Sequence, residues 1–440
     1  MSGQTLERES WGGRFGAIMA MSGMCVGLGA VWRFPYLVGE YGGGAFLFAF
    51  LVCMAICVVP LAFVEAALGK GIGKGVMDTY SIITKNKKAG NIIGGLFAAV
   101  YASMNFFFIP VMATTIYFLY VSISSMWDDM PAEQIYDYSA SQETIMLVLV
   151  ILLTFFIGFV LFKGIGSGIE KVSKVMVPAI IVIFAIMIVF CLFSIPDIVK
   201  GYNFYLNPDL SQLTNVHLWV AAMGQACFSV GIGPGCVLVY GSHLKPTEDV
   251  TTSITTVCLM DISISVLAGL AIIPACVGMG LEPESGAKLI FMVIPAVLSQ
   301  IPLGNVIGVL VFLAVFFAGI TSAFAQMEVA VTSYSDALKM SRKKMTVIWT
   351  LITLAFSVPC VFNDSLTQFW SDLAGNYGFT ITAGIGAVAF CYFYGVKKIR
   401  EEFMNPSSSV HLGAWFDKVV KFVAAPIMIL IVLNSLFPVL

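Results

Sequence analysis

The sequence predicts an all-α polytopic membrane protein: eleven transmembrane helices, arranged as a 5+5 inverted repeat with discontinuous helices 1 and 6, plus helix 11. Three observations predict it. First, of 440 residues 59% are hydrophobic and only 11% charged, with a mean hydropathy of +0.94. A soluble domain of this size could not keep its surface wet with so few charges. Second, eleven apolar stretches approach or exceed the about 20 residues that a helix needs to cross a bilayer. Third, the first and sixth stretches are interrupted in matching places, by SGMCVGLGAVWRFP (Ser22 to Pro35) and SVGIGPGC (Ser229 to Cys236).

The spans run roughly over 15–37, 42–68, 91–124, 144–162, 172–195, 215–240, 251–279, 304–337, 345–361, 376–395 and 414–438. The opening MSGQTLERESWGGR is polar and has no apolar core, so no cleavable signal peptide is expected. Charge alternates along the polar connections. Arg8 and Arg14, Lys70 to Lys88, Lys163 with Lys171 and Lys174, Lys245, Lys339 with Arg342 to Lys344, and Lys397 to Arg400 all fall on one side. The opposite loops carry Asp128, Asp129, Glu133, Asp137, Asp209, Glu282, Glu284 and Asp364, against Lys200 and Lys288. The excess of basic residues marks the cytoplasmic side. The N-terminus is therefore expected in the cytoplasm and the C-terminus outside, in the cell's inner (plasma) membrane.

Glycine and proline hold a helix poorly, and lipid leaves no partner for an unpaired backbone group. Broken backbone at membrane depth is tolerated only where it is buried in protein or lines a cavity. The two interrupted spans lie five apart and so run in opposite directions. That is the mark of two five-span repeats of inverted topology, 15–195 and 196–395, whose paired breaks flank a binding site near the midplane. Residues 396–440 supply a loop and helix 11. Close packing of small residues is the bland alternative, and Gly23 with Gly27 fits its spacing. The symmetric pair favours the site.

Several function classes drop out. Net charge is −2, which gives no footprint for nucleic acid. The ten cysteines carry no CxxC or Cys/His spacing and read as small packing residues. Only His217, His243 and His411 are available for catalysis, and none has a partner at catalytic spacing, so an enzyme is not expected.

WGGRFGAIMAMSGMCVGLGAVWRFPY followed by GGGAF resembles the first-span signature of the neurotransmitter:sodium symporters, in particular the bacterial amino-acid transporter branch with the leucine-transporter fold. GQACFSVGIGPG in span 6, FFAGITSAFAQ in span 8, NYG in span 10 and the spacing from Gly168 to Pro178 follow in order. The resemblance implies a sodium-coupled symporter that imports an amino acid, hydrophobic or aromatic, by alternating access. It leaves a homodimer open. The alternatives are a proton-influenced or sodium-independent transporter of a related amino acid or amine, and a non-concentrating ligand sensor on the same scaffold.

Residue by residue, the resemblance implies one or two sodium ions. The second ion site would use carbonyls of Gly23, Val26 and Ala318 with the hydroxyls of Thr321 and Ser322. A hard monovalent cation suits such neutral oxygens. The first would use the Cys25 carbonyl, Ser229 and Asp261. Relatives carry asparagine at Ala30 and Asp261, so this site loses one neutral ligand and gains a carboxylate. Asp261 either holds sodium or takes a proton. Ser265 and Gln225 match residues of chloride-dependent relatives, but Phe50 replaces their tyrosine, so chloride is not expected.

For the substrate, Gly27 stands where amine carriers place an aspartate, leaving room for the substrate's own carboxylate. Tyr117 is expected to bind that carboxylate and to close the site with Phe228. Met24, Cys25, Gly27, Gly29, Ala113, Ser229, Gly231, Pro234, Ser322 and Gln326 complete the pocket. Gln326 occupies a position that is usually aliphatic. Glu65 is expected to accept hydrogen bonds from the broken span 6. Arg8 and Asp336, with Trp11, Ser242 and His243, form the inner gate. Arg33 forms the outer gate, with Asp372 preferred to Ser371 as its partner. The segment between Gly168 and Pro178 is expected to unwind.

Overall fold

The computed structural model describes residues 8–281 and 289–436. The expected charges Glu282, Glu284 and Lys288, and the first seven residues of the N-terminal segment, lie outside the described residues. Among the described residues the chain is helical throughout, with no strand.

Eight helices are long and apolar enough to cross a membrane, and a bent pair, Arg14–Cys25 with Gly29–Glu40, makes a ninth candidate. The eight are Gly44–Ile72, Lys87–Ser124, Glu143–Phe162, Ile165–Ser194, Val250–Gly278, Gly304–Leu338, Arg342–Phe362 and Asp364–Ser407. The sixth expected span is Val216–Val230 followed by Cys236–Gly241. Helix from 414 to 436 takes the place of the eleventh. The element order accommodates all eleven.

The two halves of span 1 meet at 54°. Side-chain size explains part of this. A Cβ on Gly27 would lie 2.2 Å from Ser322 Oγ, so only glycine lets span 1 approach span 8 here. In span 6, Gly233 has φ +110°, and a Cβ there would sit 2.0 Å from Ala383 Cα in span 10. The backbone freed at this break is not left bare. Glu65, fully buried in span 2, accepts the N–H groups of Gly233 (3.0 Å) and Leu238 (3.3 Å), as the sequence leads one to expect.

Spans 3 and 8 lie antiparallel and fix the depth of the site. Asn105 donates to Ala323 O (3.2 Å), Met112 abuts Gly319, and the Tyr334 hydroxyl donates to Gly95 O (3.0 Å). The lipid-facing sides read as apolar stripes: Val175, Val182, Ile186, Val189 and Phe193 are all exposed along span 5. Such a stripe is stable only against hydrocarbon.

In this structure, whose basic end is shut, the segment from Gly168 to Pro178 is wound. Ile165–Glu170 winds as a π-helical turn that runs directly into Lys171–Ser194. Its first N–H is capped from outside, where the Glu9 carboxylate accepts from Ile165 (2.8 Å), and Glu170 in turn accepts the Gly12 N–H ahead of span 1 (2.7 Å). Capped first-turn N–H groups hold a helix wound.

Candidate functional site

At the break in span 1 the hydrogen-bond ladder changes partners. The Gly27 N–H, which would ordinarily close onto Gly23 O, turns to Cys25 O (2.8 Å). The Ala30 N–H, which would close onto Val26 O, turns to Gly27 O (3.1 Å). The carbonyls of Gly23 and Val26 thus lose their helical donors. Span 8 presents hydroxyls to the same place. A Cβ on Gly23 would lie 3.2 Å from Thr321 Cβ, and Ser322 Oγ donates to Met24 O (3.4 Å). Thr321 Oγ1 donates back to Phe317 O (3.0 Å) and Ala318 O (3.1 Å), which leaves its lone pairs unengaged. Gly23 therefore meets Thr321, and Met24 meets Ser322, at one interface of spans 1 and 8, with Val26 and Ala318 following along the same two spans.

Asp261 lies deep in span 7 and is fully buried. Its two oxygens face the Ser229 hydroxyl at 2.7 and 2.9 Å, and among the described residues no other donor reaches them. A single hydroxyl hydrogen compensates a buried carboxylate poorly. Neighbouring Ser263 bonds back to Leu259 O (2.7 Å) instead. Gln225 donates to Gly29 O (2.7 Å), while its Oε1 and Ser265 Oγ are buried without partners among the described residues. Phe50 is fully buried against Phe34, with ring centroids 4.8 Å apart.

Between the two breaks lies a small cavity of about 30 Å³, lined by Met24, Cys25, Gly27, Leu28, Gly29, Tyr101, Met104, Phe108, Phe228, Ser322, Gln326 and Phe379. Seven of the twelve expected pocket residues line it. Ser229 turns to Asp261, and Gly231 and Pro234 lie in the buried linker of span 6. Ala113 and Tyr117 do not reach it. Tyr101 does: its hydroxyl donates to Cys236 Sγ (3.1 Å), close to Gly231. Tyr117 lies 16 residues further along span 3, about 24 Å at 1.5 Å per residue, beside Tyr120. The error has a physical source. Span 3, Lys87–Ser124, has 38 residues and extends about 57 Å; Tyr117 stands toward its C-terminal end, beyond a ~30 Å bilayer core, while Tyr101 stands nearer its centre.

Phe228 does close the cavity, but with other partners. Its ring packs on Phe379 (5.2 Å), and the Arg33 guanidinium lies over it at 5.1 Å. Beyond it opens a vestibule of about 590 Å³, into which Arg33, Trp32, Tyr36, Gln368 and Ser371 project. Asp372 does not pair with Arg33. It accepts from Gln368 (3.1 Å) and Asn376 (2.9 Å) on its own helix. The stretch Ser371–Gly378 winds with wide π-helical turns, which places Ser371 rather than Asp372 on the vestibule.

The opposite end of the path is shut. Arg8 pairs with Asp336 (2.7 Å) and bonds both the carbonyl and the hydroxyl of Ser242. Asp336 also accepts the Gly75 N–H (2.8 Å). Trp11 donates to Tyr240 O (3.1 Å), and His243 Nδ1 meets Glu9 O at 2.7 Å. Sequence reasoning missed the layer beneath. Glu328 is fully buried in span 8 and is held by both terminal nitrogens of Arg342 and by the Thr332 hydroxyl. His243 Nε2 lies 3.9 Å from the same carboxylate. An acid two turns before Asp336 in an apolar span was the available signal.

The family model described as the sodium:neurotransmitter symporter family matches residues 8–145 and 132–439. An uncharacterized sodium-dependent transporter of Haemophilus influenzae is 29% identical over 99% of this chain and 100% of its own length. Another, of Methanocaldococcus jannaschii, is 29% identical over 96% and 89%. The sodium-dependent dopamine transporter of Bos taurus is 26% identical over 90% of this chain and 64% of its own. In fold, the chain matches the crystal structure of MhsT in complex with L-phenylalanine, with a TM-score of 0.83 and 24% identity over 98% of this chain and 100% of that one. With matches that span nearly its whole length, the chain belongs to the sodium:neurotransmitter symporter family, whose members are multi-pass membrane transporters rather than enzymes.

Proposed function

We propose that the protein imports an amino acid, hydrophobic or aromatic, coupled to sodium entry, by alternating access of the repeats 15–195 and 196–395. The observation that carries this reading is the pair of carbonyls, Gly23 and Val26, stripped of helical donors opposite Thr321. Neutral oxygens gathered at a helix break suit sodium. The substrate's carboxylate sits at Gly27 and Gly29, where no acid competes with it, and its side chain enters the cavity toward Met24, Met104 and Gln326. Tyr101, not Tyr117, is the tyrosine at that level. The complex of MhsT with L-phenylalanine supports an amino acid as the ligand. The basic end faces the cytoplasm.

Asp261 favours a second element in the mechanism. With Ser229 as its donor, it needs a cation or a proton to sit comfortably in the span. Sodium at the first site, through Cys25 O, Ser229 and Asp261, meets that need, and so does protonation. When ionised beside sodium, Asp261 also supplies the negative charge that chloride would otherwise bring. Uptake into proteoliposomes tests the whole reading. Inward sodium gradients drive accumulation of one set of amino acids, independent of chloride, and Asp261→Asn alters the sodium or pH dependence. Accumulation without sodium overturns the coupling, and an unchanged Asp261→Asn removes that residue from it.

A further inference from the structure

We infer that Gln326 selects a substrate whose side chain carries a hydrogen-bond donor, a hydroxyl or a ring N–H, rather than a purely apolar one. The inference deepens the proposed function and rests on the cavity between the breaks being the substrate site. The walls of that cavity are apolar: Met24, Leu28, Met104, Phe108, Phe228 and Phe379. Its polar side chains are four, and three are already engaged within the protein. The Tyr101 hydroxyl donates to Cys236 Sγ (3.1 Å), the Cys25 thiol to Val230 O (3.5 Å), and the Ser322 hydroxyl to Met24 O (3.4 Å). Gln326 is the exception. It is 3% exposed, and its Oε1 is buried with no hydrogen-bond partner among the described residues.

Gln326 lines the cavity, and a turn of its carboxamide brings the unpaired oxygen to the cavity wall; left unpaired there it is costly, because it has left water and gained nothing. A substrate that donates to it recovers that loss. One that presents only methyl or ring carbon seals the loss in. A hydroxyl suits the site best, since it can donate to Oε1 and accept from the amide nitrogen when the carboxamide turns. Sites with a buried polar group discriminate strongly against analogues that lack the matching group, far more than apolar pockets discriminate by size.

The test is a set of closely matched pairs, each differing by one side-chain donor: tyrosine and phenylalanine, tryptophan and 3-benzothienylalanine, threonine and valine. Binding is measured on the purified full chain in sodium, with wild type and Gln326→Met, which keeps the volume. The donor-bearing member of at least one pair binds about tenfold or more tighter to wild type, and Gln326→Met brings that ratio near unity. The pair that responds names the source of the donor: phenol, indole or small hydroxyl. Should Gln326→Met fail to fold, the wild-type ratios alone decide. Equal binding within every wild-type pair means that a resident water satisfies the amide, and overturns the inference. So does a ratio that survives in Gln326→Met. Absence of sodium-dependent binding for every amino acid overturns the transport reading itself, and this inference with it.

Discussion

The two ends of the path are built on different principles. At the basic end, closure is a layered charge network: Arg8 with Asp336 and Ser242, then Arg342 with Glu328, with Trp11 and His243 packed between. At the acidic end, Arg33 has no acid partner among the described residues and lies over the Phe228 ring beside an open vestibule. A buried charge pair is costly to break, because each partner is left uncompensated. A cation over a ring gives only about 0.5–2 kcal/mol and is easily exchanged for water. The contrast says where the work of transport lies. On the proposed transport reading, the acidic end would open and close around an aromatic ring at little expense, while the basic end would need a larger input from ion and substrate binding.

The largest effect that would break this contrast is expected at Glu328. Glu328→Ala leaves Arg342 facing a fully buried site, at a cost of about 3–5 kcal/mol. Thermal denaturation should show a steep fall in melting temperature, with Glu328→Gln falling less because it keeps an acceptor. An unchanged melting temperature would mean that the pair does not hold the closed end.

Next comes the pH response of His243, which lies past the last helical residue of span 6. Burial, and then the Arg8 guanidinium, hold its imidazole well below the ordinary histidine range; the hydrogen bond to Glu9 O opposes this and Arg342 adds to it. The facing charges are thus Arg8 and Arg342 against Glu328. The sign follows. The closed end keeps His243 neutral, and opening lets its affinity for protons return toward the ordinary value near 6.5. Above that pH the closed end keeps its full stability; below it, protons bind the open form and closure weakens. The opening constant over residues 8–25, taken as the hydrogen-exchange rate divided by the intrinsic amide rate at each pH, should therefore rise severalfold as pH falls from about 8 to about 5.5. His243→Phe should flatten the response, and a rise that persists in that variant would assign it elsewhere.

The smallest effects sharpen the weak end. Asp372→Asn should change substrate dissociation little, within about 0.5 kcal/mol, since Asp372 faces its own helix. Ser371→Asp places an acid on the vestibule with Arg33 and should slow dissociation a few-fold, worth about 0.5–1 kcal/mol. The reverse ranking in stopped-flow release would restore Asp372 as the gate acid.

These differences also mark what was legible in the sequence. The broken spans were, because glycine and proline in an apolar run have no other good reason in lipid. Glu65 was legible for the same reason, as an acid that must meet unpaired N–H groups, and so was Arg8 with Asp336. What failed was register. Span 3 is apolar well beyond a bilayer's thickness, so nothing in its composition says which tyrosine lies at the midplane; only contacts such as Asn105 with Ala323 do. In span 10 the motif spacing points to Ser371 and the preference for an acid to Asp372; in this structure Ser371 lines the vestibule and Asp372 faces its own helix. The cap that Glu9 places on Ile165 joins residues 156 positions apart in sequence, and no local pattern carries that.

The most direct measurement of the central claim is the melting temperature of the purified protein with each amino acid, in sodium and then in potassium. A ligand that binds only the folded state raises the melting point by mass action. If Gly23, Val26, Ala318, Thr321 and Ser322 hold sodium beside the substrate, a defined set of amino acids stabilises the protein in sodium and not in potassium. Equal stabilisation in both salts would contradict the account.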